Sequence, residues 1–218
     1  MTPARWPREA PLDEGLVVVD PRTNRFEIQR VRDLVMFVGP GDLVVLNDAA
    51  TLPASLRGAT AAGEPVEARL LASRDGAWRA VLFGAGDWRT RTEDRPLPPR
   101  VRVGDSLLFS GGLDAKVDGV ASSSERLVDL RFALGGDRFW TALYKEGRPV
   151  QYSHIAAPLA LWHVQTPFAS RPWASEMPSA ARPLAWEHEA ATLRGFVGHE
   201  FGDSMLIAAA RRSSRSWA

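Results

Sequence analysis

Two alternating runs meet at Asp75-Gly76, and that junction limits the fold more than any other stretch. Val66-Glu67-Ala68-Arg69-Leu70-Leu71 leads into it, and Ala77-Trp78-Arg79-Ala80-Val81-Leu82-Phe83 leads out. A period of two marks strands, and Asp-Gly between such runs suits the left-handed backbone of a tight hairpin turn. The spacing predicts an antiparallel hairpin to which Trp78, Val81 and Phe83 are tied. Further strands are predicted at 106–109, 113–120, 126–132 and 139–143, separated by glycine-bearing turns. Short strands at this density predict an antiparallel barrel or sandwich over roughly residues 57–145.

Upstream the texture differs. Leu16 to Val19 reads as a β-branched strand closed by the turn Asp20-Pro21-Arg22-Thr23-Asn24, and Phe26 and Ile28 alternate after it, which predicts a hairpin. Val31 to Phe37 reads as a short helical turn. Gly41 to Asp48, GDLVVLND, then places four apolar residues after a Gly-Pro-Gly turn and before Asn47-Asp48. A continuous apolar run fits a strand buried on both faces, and polar residues at its carboxyl end stand where ligands bind in α/β folds. Asn and Asp equally start turns, so both readings stand.

Composition narrows the chemistry. The 218 residues can bury a sizeable core, and a net charge of +1 argues against a strongly basic nucleic-acid binder. There is no cysteine, which removes disulfides, thiolate nucleophiles and cysteine metal sites, and the four histidines lack metal-ligand spacing. No apolar run reaches membrane-spanning length, so a cytoplasmic location away from membranes is expected. Trp88 to Arg102 carries five arginines against two acids beside a tryptophan. It reads either as a solvated, proline-stiffened connector or as a loop that grips phosphates while Trp88 stacks on a base. Residues 145–183 are irregular but aromatic-rich, which argues for order. Trp186 to Leu193 is predicted as a short helix, and Arg211 to Arg215 as a basic tail.

Several stretches together resemble the S-adenosylmethionine:tRNA ribosyltransferase-isomerases of queuosine biosynthesis. Leu16 to Asp20 is similar to the family's RLLVLD, and GDLVVLND with Leu52-Pro53-Ala54-Ser55-Leu56-Arg57-Gly58 to its GDLLVLNDTRVIPARLFG. Val66 to Leu71 and the Trp78 strand resemble VEVLLL and WEALL, and Val103 to Leu107 resembles KPGDRL. Gly147-Arg148-Pro149-Val150-Gln151-Tyr152 stands in the place of GHMPLPPYI, and Val164 to Ala169 in that of YQTVYA. Met177 to Leu184 occupies the place of APTAGLHF, and His199 to Ile207 resembles YGDAMFI. Each motif alone is weak, but in this order from residue 16 to 207 they are specific.

The resemblance implies a mixed α/β fold: a discontinuous α/β main lobe, residues 1–56 and a shortened 150–218, with an antiparallel β-barrel inserted over 57–149. It implies transfer of the ribosyl part of S-adenosylmethionine to 7-aminomethyl-7-deazaguanine in tRNA, with isomerisation to epoxyqueuosine and release of adenine and methionine. S-adenosylmethionine is then a co-substrate, tRNA a partner, and no metal or prosthetic group is implied. The substrate-binding residues carried over are Asn47, Asp48, Arg148, Gln151, Tyr152, Gln165, Thr166, Pro178, Ser179, Ala180, His199, Glu200 and Asp203; no catalytic base is assigned, and His199 matches no family histidine.

The departures carry weight too. The family's LHVGLGTF, GxxVIAVGTT and TNFHLPxS stretches have no counterpart, since only Ala185 to Gly198 separates the last two matches. The missing wall implies weak binding of S-adenosylmethionine or none at all, and self-association through an incomplete lobe. An alternative reading is a catalytically inactive paralogue acting as an RNA-binding or scaffold module.

Overall fold

The computed structural model describes residues 9–39, 41–179, 182 and 184, and the backbone of 207–208. The described residues form two compact units: Thr51–Val164 with Pro172–Met177, and those up to Ala50 with Gln165–Arg171 and the described residues from Pro178 on. The strands in chain order are β1 (Gly15–Asp20), β2 (Arg25–Arg30), β3 (Leu43–Val44), β4 (Ala49–Thr51), β5 (Ser55–Thr60), β6 (Pro65–Arg74), β7 (Ala77–Phe83), β8 (Ser106–Phe109), β9 (Ala115–Val120), β10 (Leu127–Phe132), β11 (Arg171–Ala174) and β12 (Ile207–Ala208). Among the described residues one α-helix, α1 (Gly136–Glu146), joins them, with several short 3-10 turns.

The first unit is a closed six-stranded antiparallel barrel in the order β10-β7-β6-β5-β8-β9. Its central hairpin is the one the sequence predicts. Asp75 and Gly76 both take positive φ, 53° and 77°, and pair Arg74 with Ala77 and Ser73 with Trp78. The register shifts between Leu70 and Ala72, which bulges the strand at exposed Leu71. Val66, Ala68 and Leu70 of β6 and Trp78, Ala80 and Leu82 of β7 enter one buried cluster with Leu107, Val117, Val128 and Leu130. Each large side chain buried there contributes about 1.5–3 kcal/mol. Val81 lies off this core and half-buried, whereas Trp78 is in it.

The expected strand at 139–143 is helical instead. Phe139, Ala142 and Leu143 fall at i, i+3 and i+4, so α1 puts all three into the barrel's core cluster. Five residues are too few for periodicity to separate strand from helix. Phe139 stacks on Trp78, with ring centroids 5.6 Å apart, and approaches Phe132 at 5.0 Å.

The barrel closes where β5 meets β8, and Gly58 is the point of closest approach. A Cβ on Gly58 would lie 2.2 Å from the Leu108 carbonyl oxygen and 2.6 Å from the Phe109 ring. Gly58→Ala is therefore expected to lower stability by about 1–3 kcal/mol, the usual cost of overpacking. Urea unfolding reads it, and an unchanged midpoint would mean that β8 yields without cost.

In the second unit β1 and β2 form the expected hairpin, in register from Gly15↔Arg30 to Asp20↔Arg25. Its turn is held by the Asp20 carboxylate, which accepts the Arg22 N–H and the Thr23 hydroxyl, both at 2.9 Å. One face carries Val17 opposite Ile28 and Val19 opposite Phe26, all 61–76% exposed. Val31–Phe37 is a 3-10 helix whose Val31 packs with Phe168 and Leu184, backed by Leu12, Leu34 and Leu46.

The buried strand expected at 43–46 is shorter and less covered. β3 spans only Leu43–Val44 and pairs with β12, Ile207 to Val44 and Ala208 to Leu43. Leu43 is 42% exposed, and Val45 and Leu46 are half-buried. A two-residue strand in a two-stranded pairing is too little sheet to cover both faces. The helix expected at 186–193 and the tail at 211–215 lie outside the described residues.

Candidate functional site

The outer face of β6 should meet water, because Glu67 and Arg69 alternate with the core residues Val66, Ala68 and Leu70. Instead Glu67 is 4% and Arg69 7% exposed. Arg95, from the arginine-rich segment after β7, lies over them with no exposed side-chain surface. Glu67 accepts the Arg69 Nε–H at 2.7 Å and the Ser55 hydroxyl at 3.0 Å through one oxygen, and an Arg95 amino group through the other. Arg95 also donates to the Gly84 carbonyl at 2.5 Å. The Arg69 and Arg95 guanidiniums sit 4.5 and 5.2 Å from the Phe83 ring centre, with Arg126 at 5.5 Å. Burial pushes the Glu67 carboxyl up, but hydrogen bonds and charge from Arg69 and Arg95 outweigh it and hold it below its ordinary 4.5. The solvated-connector reading of 88–102 thus fails at Arg95, which is a buried ion-pair partner.

Beside this network opens a cleft of about 290 Å³, lined among others by Arg57, Glu67, Trp88, Glu146, Arg148 and Gln151. Two of the residues carried over by resemblance therefore share one wall. Arg148 is placed by its backbone, which exchanges hydrogen bonds with Ser55 at 2.8 and 3.0 Å, and its side chain is exposed. Gln151 is buried and fully engaged: its amide donates to the Ala157 carbonyl at 2.6 Å and accepts the Leu159 N–H at 2.9 Å. It positions a loop rather than presenting a free group. Arg57 lies 3.8 Å from Asp87, and the Arg89 guanidinium rests 4.4 Å over the Trp88 ring. Guanidiniums beside an indole suit an anionic group attached to a planar ring.

Tyr152 donates its hydroxyl to Glu176 and lies 5.8 Å from the Arg69 guanidinium. Burial, then the Glu176 hydrogen bond and charge, push its phenol up to about 12 against a smaller opposing effect of Arg69. It is a proton donor at neutral pH and no base. A phenol raised on folding leaves its stabilisation intact below the ordinary 10.0 and loses it as pH rises through about 12. Of the two tyrosines, Tyr144 is also raised by burial. Ultraviolet titration of phenolate is expected to show a component near 12 that Tyr152→Phe removes; ionisation of both phenols near 10 would contradict it.

The other carried-over residues in described positions lie in the second unit. Asn47 is buried, and its side-chain oxygen accepts the Ala49 N–H at 2.8 Å, which is the turn role. Asp48 accepts the Ser170 hydroxyl through its carboxylate and the Ser170 N–H through its carbonyl, both at 2.8 Å. Gln165 is half-buried. Thr166 is 4% exposed, and its hydroxyl has no hydrogen-bond partner among the described residues. Pro178 accepts the Arg182 N–H at 3.1 Å, and Ser179 is exposed. Ala180, His199, Glu200 and Asp203 lie outside the described residues.

Sequence reasoning missed Glu67, Arg69 and Arg95. The alternation of β6 signalled their outward direction, but nothing local announces that a distant arginine covers them.

A family profile described as queuosine biosynthesis protein matches residues 2–194. The S-adenosylmethionine:tRNA ribosyltransferase-isomerase of Ruegeria sp. (strain TM1040) is 31% identical over 173 residues, 76% of this chain and 45% of the relative. Its counterpart in Thermus thermophilus is 33% identical over 180 residues, 78% of this chain and 47% of the relative. The crystal structure of S-adenosylmethionine tRNA ribosyltransferase from Thermotoga maritima aligns with a TM-score of 0.32 at 23% identity, over 67% of this chain and 45% of that one. The chain spans about half the length of the curated relatives it matches. On the extent of the profile match, the chain belongs to the queuosine biosynthesis protein family.

Proposed function

We propose that this chain serves S-adenosylmethionine:tRNA ribosyl transfer and isomerisation. The ribosyl part of S-adenosylmethionine passes to 7-aminomethyl-7-deazaguanine in tRNA and becomes the epoxy-cyclopentane of epoxyqueuosine, while adenine and methionine leave. The observation that carries this reading is the cleft in which Arg148 and Gln151, from the family-like GRPVQY stretch, line one wall with Arg57 and Trp88. Its guanidiniums suit a phosphate or a carboxylate, and its indole suits a base.

The same reading divides the chain into main-lobe segments 1–56 and 150–218 around an inserted barrel, and places it in the cytoplasm. It also includes self-association, supported by the apolar face of Val17, Val19, Phe26 and Ile28. Sedimentation equilibrium that returned a monomer at all concentrations would remove that part.

The activity is tested with purified chain, S-adenosylmethionine and tRNA carrying 7-aminomethyl-7-deazaguanine, following adenine by chromatography. Adenine release at a high KM for S-adenosylmethionine is the expected result. Tight tRNA binding without any adenine would move the chain to the RNA-binding module, and absence of both would overturn the reading.

A further inference from the structure

A second cleft on the barrel unit, of about 500 Å³, is walled by aromatic rings: Trp78, Phe132, Phe139, Trp140 and Trp173, with Leu134 beside them. None of the residues that line it is charged. Trp140 stands nearly edge-on to Trp78, at 6.0 Å and 80°, and to Phe139, at 5.4 Å and 71°. Trp140 is half-buried, and Trp173 is 62% exposed at the mouth. The volume lies within the range of ligand sites, and an uncharged, ring-lined cleft complements a neutral planar ring.

What lies next to it suggests how such a ring is attached. At Ala72 the cleft adjoins a groove of about 380 Å³ that holds Arg74, Arg79 and Arg131. Their guanidiniums pair with Asp75 at 3.5 Å, Asp129 at 2.5 Å and Asp118 at 2.6 Å. The Arg74–Asp75 pair is fully exposed and holds weakly, whereas Arg79 and Arg131 each grip their aspartate through two nitrogens. A guanidinium carries five N–H donors, so each keeps donors that a phosphate can take. A neutral ring in the cleft with anionic linkages along the groove is the chemistry of a nucleic-acid strand.

We propose that the aromatic cleft seats one unpaired base of an RNA strand against Trp140 and Trp173, with the adjoining phosphates along the Arg74–Arg79–Arg131 groove. Binding here needs no S-adenosylmethionine, so its failure leaves the ribosyl-transfer reading standing.

The test is fluorescence anisotropy of a labelled single-stranded oligoriboadenylate of about ten nucleotides, titrated with the full chain at fixed low salt. Trp173→Ala is expected to weaken binding about 10-fold or more, as the loss of one stacking platform does. Trp173→Phe keeps a ring and is expected to retain most of the affinity. Trp162→Ala, at a tryptophan 75% exposed outside the cleft, should change nothing. Trp140→Ala serves as the second lesion, with circular dichroism verifying that each variant is folded. An abasic strand should bind as weakly as the intact strand binds Trp173→Ala. The proposal is overturned if the parent chain does not bind the strand, or if Trp173→Ala and Trp140→Ala bind like the parent. It is equally overturned if the abasic strand binds as tightly as the intact one, or if free adenosine competes as well as the strand does.

Discussion

Glu67→Ala is expected to lower folding stability by about 3–5 kcal/mol, the usual cost of removing one partner from a buried ion pair. The lesion leaves the fully buried Arg95 without its carboxylate, and Arg69 loses the acceptor of its Nε–H. Urea unfolding measures the loss. The double substitution of Glu67 and Arg95 to methionine should be less damaging than Glu67→Ala, because it leaves one buried guanidinium without a carboxylate, that of Arg69, instead of two. A loss below about 1 kcal/mol would show that water reaches Arg95 in the folded chain. The acid limb supplies a second readout. A carboxyl lowered on folding contributes its full stabilisation above its ordinary 4.5 and loses it as pH falls through the lower folded value. The Glu67→Ala chain should lack that part of the acid slope.

Leu130→Ala should cost about 2–5 kcal/mol, the range for a leucine deleted from a packed core. Leu130 is 0% exposed and is paired with Trp78 on one side and Val117 on the other, so neither neighbour can close the cavity without leaving the barrel register. Phe26→Ser, on a side chain 73% exposed, should stay within about 0.5 kcal/mol of the parent when both are unfolded at concentrations too low for self-association. Paired denaturation curves decide the matter. Equal losses at the two sites would mean that the apolar face of the β1–β2 hairpin is covered in solution.

The barrel was legible because its information is local. Asp75-Gly76 and the flanking period of two define β6 and β7, and β7 and β8 have the predicted ends. Residues 139–143 misled because a five-residue stretch, apolar but for Thr141, carries too little period, and what decided it was the room between Trp78 and Phe132 that Phe139 fills. GDLVVLND misled in the opposite direction. Its four apolar residues implied a covered strand, whereas coverage depends on neighbours that the stretch itself does not specify. In the site, the GRPVQY stretch lines the cleft through Arg148 and Gln151, but Gln151 proved to be committed to its own loop and Arg95 to a partner far away in sequence. Such long-range pairings leave no periodic trace.

The way the barrel closes has a kinetic consequence. β6–β7 and β8–β9 can form as local hairpins, in microseconds. The seams that shut the ring are not local: Gly58 must find Phe109, and Val81 must find Leu127. Each seam incurs loop-closure entropy before its contacts stabilise anything. Folding of this unit should therefore be limited by the arrival of β8 beside β5 and of β10 beside β7, on the slower timescale typical of non-local strand pairing. Until then β5 and β7 present unpaired edges that the finished ring conceals, so the interval before closure is when this chain is most exposed to mispairing with its own kind.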